Sequence, residues 1–225
     1  MDISFIQASA RFAEREVLAP LSVRLTERRV GIIGLNGSGK STFTRMINGL
    51  VLPSSGHVVT NGHDTKKGGA KVRACVGYVF QNPANQIVLP QIKDDIALGL
   101  QARKLKRDEL SRAVSGVLDR VGIAHLAERR AHELSGGEIQ LAALASVLVT
   151  SPDIVIMDEP TNQLDLKNRN MVERVISDLP ENVIVVTHDL SLLTGFERVL
   201  LFHQGRLLGD GPAEAIISRY IEMAE

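Results

Sequence analysis

A glycine-rich segment that ends in lysine and serine carries the clearest chemical signal in this sequence. The pattern G-x-x-x-x-G-K-[ST] is matched by eight consecutive residues, Gly34, Leu35, Asn36, Gly37, Ser38, Gly39, Lys40 and Ser41. Glycines let backbone N–H groups close around phosphate oxygens, and a following helix points its positive end at them. We therefore expect this segment and Thr42 to bind a nucleoside triphosphate. Lys40 is expected to reach the β- and γ-phosphates and the Ser41 hydroxyl to coordinate Mg²⁺.

Two adjacent carboxylates supply the complementary chemistry. Asp158 and Glu159 follow the apolar residues 154–157, which have the character of a buried strand. Asp158 is expected to be the Mg²⁺ partner. Adjacent side chains on a strand point to opposite faces, so Glu159 is expected to have a different task and to polarise the attacking water. The alternative is an acidic turn after a strand.

The strands that must position these groups are visible in the hydrophobic pattern. Residues 30–33, 154–157 and 183–186 are apolar on both faces, which is typical of strands buried in a parallel sheet. Residues 21–25 instead alternate between apolar and polar, the period of a half-buried strand. We predict an α/β fold with an antiparallel sheet near the N-terminus.

The middle of the chain has a different period. Apolar residues recur at helical spacing over residues 110–121, and charged residues occupy the opposite face. The phosphate-binding segment is also expected to lead into a helical stretch through residues 46–50. We predict one domain, in which an α/β core of residues 1–82 and 151–225 is interrupted by an α-helical subdomain of residues 83–150.

Charge balance, apolar runs and cysteine content argue against a nucleic-acid partner, export and a membrane-spanning segment. Lys+Arg and Asp+Glu both number 26, so the basic excess that is typical of a nucleic-acid partner is missing. The first residues lack the basic start and long apolar stretch of a signal peptide, so we expect no export, and no run of ~20 apolar residues could span a membrane. Its single cysteine, Cys75, cannot form an intrachain disulfide, which fits a reducing, cytoplasmic compartment. We expect any membrane role to come through a partner.

A third motif makes the family recognisable. Residues 134–138 read Leu-Ser-Gly-Gly-Glu, and by itself Ser135 could be only a helix N-cap. Together with the phosphate loop, the Asp158-Glu159 pair and His188 after the third apolar run, it makes nearly the whole chain resemble an ABC ATPase subunit. The resemblance implies a P-loop NTPase core of RecA-like type, with an N-terminal antiparallel β-subdomain and an inserted α-helical subdomain. It also implies Mg²⁺-dependent hydrolysis of ATP coupled to transmembrane transport.

The same resemblance implies a dimer. In that family the signature segment faces the phosphate loop of a second subunit, so Ser135, Gly136 and Gly137 are expected to contact the γ-phosphate across the interface. Asp165 matches the segment that crosses between subunits, although the neighbouring Asn-Gln pair is unusual. Glu159 and the signature show no degeneration, which favours a homodimer over a mixed pair.

Further positions match family residues inside one subunit. His188 matches the histidine that holds the γ-phosphate, and Gln81 matches the glutamine between the ATP site and the helical subdomain, where it also contacts Mg²⁺. Phe12 resembles the aromatic residue on which adenine stacks, with core packing as the alternative. Leu141 and Ser146 depart from the pattern, because both positions frequently carry Arg.

A weaker resemblance concerns the transporter type. Residues 80–86 and 94–99 are similar to the ATPases of energy-coupling factor importers, which take up vitamins and transition-metal ions. A biotin-type system is implied, with cobalt or nickel as alternatives, acting with integral-membrane coupling and substrate-binding subunits at the cytoplasmic face of the membrane. Asp94 or Asp95 is expected to receive a basic residue of the membrane subunit, unless both only favour a helix N-terminus. The ATP motifs alone would also suit a different ABC transporter type or a soluble ABC ATPase that works on DNA or ribosomes.

Overall fold

Four strands near the N-terminus form an antiparallel sheet, as the alternation over residues 21–25 predicts. The computed structural model describes residues 1–224. Within them the sheet has the order β2-β1-β4-β5, and neighbouring strands are antiparallel. Its strands are β1 Ile3–Phe12, β2 Arg15–Leu25, β4 Ser55–Thr60 and β5 His63–Asp64.

A second sheet of six strands carries the catalytic motifs, in the order β10-β9-β3-β8-β7-β6. Its members are β3 Arg29–Ile33, β6 Val76–Val79, β7 Ile154–Asp158, β8 Asn182–Val186, β9 Arg198–His203 and β10 Arg206–Gly211. Strands β6 to β9 and β3 run parallel, and only β10 pairs antiparallel. The three apolar runs are β3, β7 and β8, so the predicted parallel core is confirmed.

Seven α-helices accompany the sheets in the described part of the chain. They are α1 Lys40–Ile47, α2 Gly69–Cys75, α3 Ile92–Leu98, α4 Arg107–Arg120, α5 Gly136–Leu148, α6 Leu166–Asp178 and α7 Ala213–Ala224. The helical stretch expected through residues 46–50 ends earlier, at Ile47, because Gly49 turns the backbone with a φ of 74°. None of these helices is long and apolar enough to cross a membrane.

The parallel sheet separates two hydrophobic clusters. Val155 and Met157 of β7 pack with the helices α3 to α7, whereas Ile154 and Ile156 pack with α1 and the antiparallel sheet. Consecutive residues of a strand face opposite sides, so a strand with both faces covered must be apolar throughout. Residues 83–150 hold α3, α4 and α5 and give no strand to either sheet. The boundaries of the proposed subdomain stay a prediction.

Candidate active site

The phosphate-binding segment forms a tight loop between β3 and α1. Gly34, Gly37 and Gly39 have φ values of 141°, 75° and 100°, which side chains rarely tolerate. A Cβ atom on Gly34 would lie 2.1 Å from the carbonyl oxygen of Phe202. The loop lines a cavity of about 260 Å³ together with Gln81 and both motif carboxylates. Glycine is therefore required here by backbone geometry.

The phosphate-binding loop carries polar groups that can bind an anion. The Lys40 Nζ atom donates to the carbonyl oxygens of Gly34 and Leu35 at 2.6 and 3.0 Å. Burial lowers the pKa of Lys40, and the nearby Glu159 and Asp158 carboxylates partly offset this. Among the described residues, the buried Ser38 hydroxyl has no hydrogen-bond partner. An orphaned buried hydroxyl beside a buried ammonium fits phosphate oxygens.

Asp158 closes the other side of this cavity at the end of β7. Its Oδ1 atom accepts a hydrogen bond from Ser41 Oγ at 3.2 Å, and its Oδ2 atom accepts one from the hydroxyl of Tyr78 at 3.1 Å. Arg45 approaches Oδ2 to 4.0 Å. Tyr78 was not among the predicted site residues, because its only signal in the sequence is a polar tip within an otherwise apolar strand.

The paired oxygens of Ser41 and Asp158 fit Mg²⁺. This ion prefers oxygen ligands and is usually held by one or two carboxylates with substrate phosphates and waters. Over residues 1–224 no cluster of three histidine, cysteine, aspartate or glutamate side chains could hold a metal by itself. Gln81, in the loop after β6, adds an amide to the same cavity. The donor set therefore suits a metal that arrives with a nucleotide.

Glu159 faces the same cavity as Asp158, although adjacent strand residues were expected to diverge. The strand ends at Asp158, and Glu159 has a left-handed backbone with a φ of 54°. Its Oε2 atom accepts from the backbone N–H of His188 at 3.1 Å, and its Oε1 atom lies 3.2 Å from His188 Nε2. Left-handed non-glycine residues cost energy and cluster at functional sites.

Burial also shifts the pKa values of Glu159 and His188. It raises the pKa of Glu159, although the His188 N–H and the Lys40 charge act in the opposite direction. Burial and the Lys40 charge lower the pKa of His188. The His188 Nε2 atom additionally lies 3.0 Å from Asn36 Oδ1 in the phosphate loop. The arrangement places a neutral imidazole and a basic carboxylate at the mouth of the phosphate site.

The loop that carries His188 is held by an ion pair that was not predicted from the sequence. Arg169 of α6 donates to Asp189 Oδ1 at 2.7 Å and to Glu173 at 2.7 Å, and it also bonds Ser191. Asp189 follows His188 directly in sequence, so Arg169 connects α6 to the histidine. No sequence motif marks this contact, because Arg169 and Asp189 are 20 residues apart.

The signature segment lies at the start of α5. Ser135 is the N-cap of that helix: its Oγ accepts from the Glu138 N–H at 3.4 Å, and the Glu138 carboxylate accepts from the Ser135 N–H at 2.7 Å. Asp165 is the N-cap of α6, and its Oδ1 atom accepts from the Asn168 N–H at 2.8 Å. Ser135, Gly136 and Gly137 do not line the phosphate cavity of their own chain.

Phe12 and Leu141, which the sequence analysis also singled out, lie outside the phosphate-binding loop. Phe12 ends β1 with 52% of its surface exposed and lies outside the lining of the phosphate cavity. Leu141 is fully buried in the helical cluster, which explains why an apolar side chain stands at this position. The exposure of Phe12 argues against core packing, and its adenine contact stays a prediction.

Asp95, one of the two residues predicted to dock the membrane subunit, is buried in this structure. This residue is only 5% exposed, and its Oδ1 atom accepts from the backbone N–H groups of Val88 and Leu89 at 2.7 and 3.0 Å. Its Oδ2 atom accepts from Ser146 Oγ at 3.1 Å. The carboxylate is thus occupied inside the chain, and Asp94 is the exposed member of the pair.

Comparison with known proteins agrees with this geometry. Residues 19–162 match the ABC transporter family. The biotin transport ATP-binding protein BioM of Rhizobium etli is 58% identical over 224 residues, which covers 100% of both chains. The energy-coupling factor transporter ATP-binding protein EcfA1 of Halalkalibacterium halodurans is 40% identical over 187 residues, covering 81% of this chain and 67% of that protein.

The fold has solved counterparts. A dimeric structure of an ATP-binding cassette, in a post-hydrolysis state bound to ADP and Pi, has a TM-score of 0.84 and 25% identity. The match covers 94% of this chain and 98% of that one. These similarities span the phosphate loop, both carboxylates and the signature segment. The chain therefore belongs to the ABC transporter family, as an ATP-hydrolysing subunit of the energy-coupling factor type.

Proposed function

We propose that this subunit powers the uptake of biotin or a closely similar vitamin through integral-membrane partners. The observation that carries the proposal is the full-length 58% identity with a biotin transport ATP-binding protein. Cobalt and nickel are the competing candidates for the transported species. The ATP chemistry of this chain is the same in each case, because separate subunits recognise the transported molecule.

The phosphate loop, Lys40 and Ser38 bind the nucleotide in this proposal. Backbone N–H groups and the α1 N-terminus face the phosphate oxygens, which would take the Lys40 Nζ bonds now made to loop carbonyls. Ser41, Asp158 and Gln81 would hold Mg²⁺, which neutralises charge on the β- and γ-phosphates when bound. Thr42 also lines the phosphate cavity. Phe12 would stack on adenine.

Hydrolysis depends on Glu159 and His188. The attacking water donates a hydrogen bond to the Glu159 carboxylate, whose burial makes it a stronger base than an exposed glutamate. His188 Nε2 lies within reach of both Glu159 and Asn36, and it would contact the γ-phosphate. The water thus loses its proton toward Glu159 while its oxygen bonds to phosphorus and ADP leaves.

The site needs a second subunit. Ser135, Gly136 and Gly137 do not line their own phosphate cavity, so we propose that they contact the nucleotide bound by a second copy of this chain. Asp165, at the exposed start of α6, would lie at the same interface. The dimeric cassette with ADP and Pi supports this arrangement.

The membrane partners would dock on the helical subdomain, with exposed Asp94 receiving a basic residue. This binding keeps the subunit at the cytoplasmic face of the membrane. Balanced charge supports the absence of a nucleic-acid partner, because 26 basic residues match 26 acidic ones.

Uptake by the purified complex tests this proposal. The tagged chain would be expressed with the integral-membrane subunits of its transporter, extracted in detergent and reconstituted into proteoliposomes. We expect ATP-dependent accumulation of labelled biotin, abolished by Lys40→Ala and retained with Lys66→Ala, a change of an exposed lysine. Accumulation of cobalt or nickel instead would overturn the biotin assignment, and co-purification of ribosomal proteins without membrane proteins would overturn a transport role.

A further inference from the structure

Tyr78 lies within β6 and carries a buried hydroxyl beside the phosphate site. Its hydroxyl donates to Asp158 Oδ2 at 3.1 Å and lies 3.0 Å from Thr44 Oγ1 on α1. A phenol has one proton to donate. The Thr44 hydroxyl also has one proton, and the carbonyl oxygens of Lys40 and Ser41 lie 3.3 and 3.2 Å from its oxygen as further acceptors. The side chains of Thr44, Tyr78 and Asp158 thus connect α1, β6 and β7.

Each oxygen of the Asp158 carboxylate has its own hydrogen-bond donor. Ser41 approaches Oδ1 at 3.2 Å and Tyr78 approaches Oδ2 at 3.1 Å, so the plane of the Asp158 carboxylate is held from both sides. A phenol has an ordinary pKa of ~10 and therefore carries its proton at neutral pH. A protonated donor on Oδ2 leaves Oδ1 directed at the Ser41 hydroxyl.

We propose that Tyr78 is a positioning residue that orients the Asp158 carboxylate toward Ser41 and the metal bound there. The inference rests on the proposed role of Asp158 as a Mg²⁺ ligand. Tyr78 touches neither nucleotide nor metal in this account and acts through Asp158. Partners that orient a ligating carboxylate commonly change metal affinity or activity 10- to 100-fold when they are removed.

Tyr78→Phe tests the proposal, since it removes only the hydroxyl. The chain has two tyrosines, and Tyr220 of α7 packs in the helical cluster, so Tyr220→Phe is the matched control. Mn²⁺ would replace Mg²⁺ and be titrated by electron paramagnetic resonance into each protein saturated with ADP. Nucleotide affinity in EDTA and the urea unfolding midpoint would be measured on the same samples.

For Tyr78→Phe we expect Mn²⁺ affinity to fall about tenfold, while ADP affinity in EDTA changes less than about twofold. Tyr220→Phe should match the original chain in both. Unchanged Mn²⁺ affinity in Tyr78→Phe overturns the inference, as does an equal loss of metal-free ADP affinity, which would indicate general damage to the loop. If Tyr78→Phe fails to fold, Thr44→Val, which removes the hydroxyl 3.0 Å from the phenol oxygen, is judged by the same two criteria.

Asp158→Asn separates this inference from the proposed function. If Asp158→Asn loses Mn²⁺ affinity and Tyr78→Phe does not, only the positioning role fails. If Asp158→Asn also binds Mn²⁺ like the original chain, the metal role of Asp158 itself fails.

Discussion

Ser146 of α5 donates a hydrogen bond of 3.1 Å to the buried carboxylate of Asp95 on α3. The second Asp95 oxygen accepts from two consecutive backbone N–H groups, those of Val88 and Leu89. One carboxylate therefore ties the loop before α3 to the helix that begins at the signature segment. Three neutral donors satisfy its charge, so a short hydroxyl suffices at this position, where the family resemblance led us to expect Arg.

Loss of this carboxylate should destabilise the subunit. In Asp95→Ala the N–H groups of Val88 and Leu89 lose their acceptor, and we expect the free energy of unfolding to fall by about 2 kcal/mol or more. Asp94→Ala changes the adjacent exposed residue and should cost about 0.5 kcal/mol. Urea denaturation of both variants measures the difference. Equal small losses would mean that the Asp95 contacts contribute little.

Asp94 is expected to act in assembly instead. Asp94→Asn should weaken binding of the membrane subunits by about 2 kcal/mol or more, because a basic residue of the partner loses its counter-charge. The ATPase activity of the isolated subunit should not change. Asp108→Asn, an exposed carboxylate in the first turn of α4, serves as the control. Quantitative pull-down measures assembly, and normal binding by Asp94→Asn would exclude this docking contact.

Lys40→Ala and Glu159→Gln should fail in different ways. Without Lys40 the loop loses its buried cation, so nucleotide affinity should fall strongly. Glu159→Gln should bind nucleotide normally and hydrolyse it ~10²-fold more slowly or worse. Fluorescent nucleotide titration and phosphate release separate the two effects, with Lys66→Ala as an exposed-lysine control. Similar losses of affinity in both variants would contradict the assigned roles.

Dimerisation should require both an intact phosphate loop and bound ATP. Glu159→Gln protein with Mg²⁺-ATP should sediment as a homodimer, because slow hydrolysis traps the nucleotide between two subunits. The double variant Glu159→Gln with Lys40→Ala should remain monomeric. If analytical ultracentrifugation finds only monomer for the single variant, a different ATPase chain must be the partner.

The raised pKa of Glu159 predicts a pH-dependent stability. Between the ordinary glutamate pKa and this raised value, the folded chain binds more protons than the unfolded chain. The contribution of Glu159 to stability should therefore decline as pH rises through that window, and Glu159→Gln should remove the decline. Urea unfolding as a function of pH compares it with Glu14→Gln, a change of an exposed glutamate. The same decline in Glu159→Gln and the original chain would show that another group causes it.

The sequence by itself predicted the features that depend on residues close together along the chain. The spacing of the glycines from Gly34 to Gly39 reflects positive φ angles within one loop, and runs apolar at every position mark strands covered on both faces. These signals predicted the α/β fold and the phosphate-binding loop. They also led to Asp158 and Glu159, which follow directly after a buried strand.

Contacts between distant segments were decided only by the tertiary structure. Tyr78 meets Asp158 across 80 residues of sequence, and Asp95 meets Ser146 across 51. The Tyr78–Asp158 contact results from the order of strands in the sheet, and the Asp95–Ser146 contact results from the packing of α3 on α5. Neither contact produces a periodic pattern in the sequence. Whether Asp94 or Asp95 faces outward likewise depends on which face of α3 is buried against α5. Glu159 joins Asp158 in one cavity because the backbone leaves the strand in a left-handed conformation that alternation does not predict.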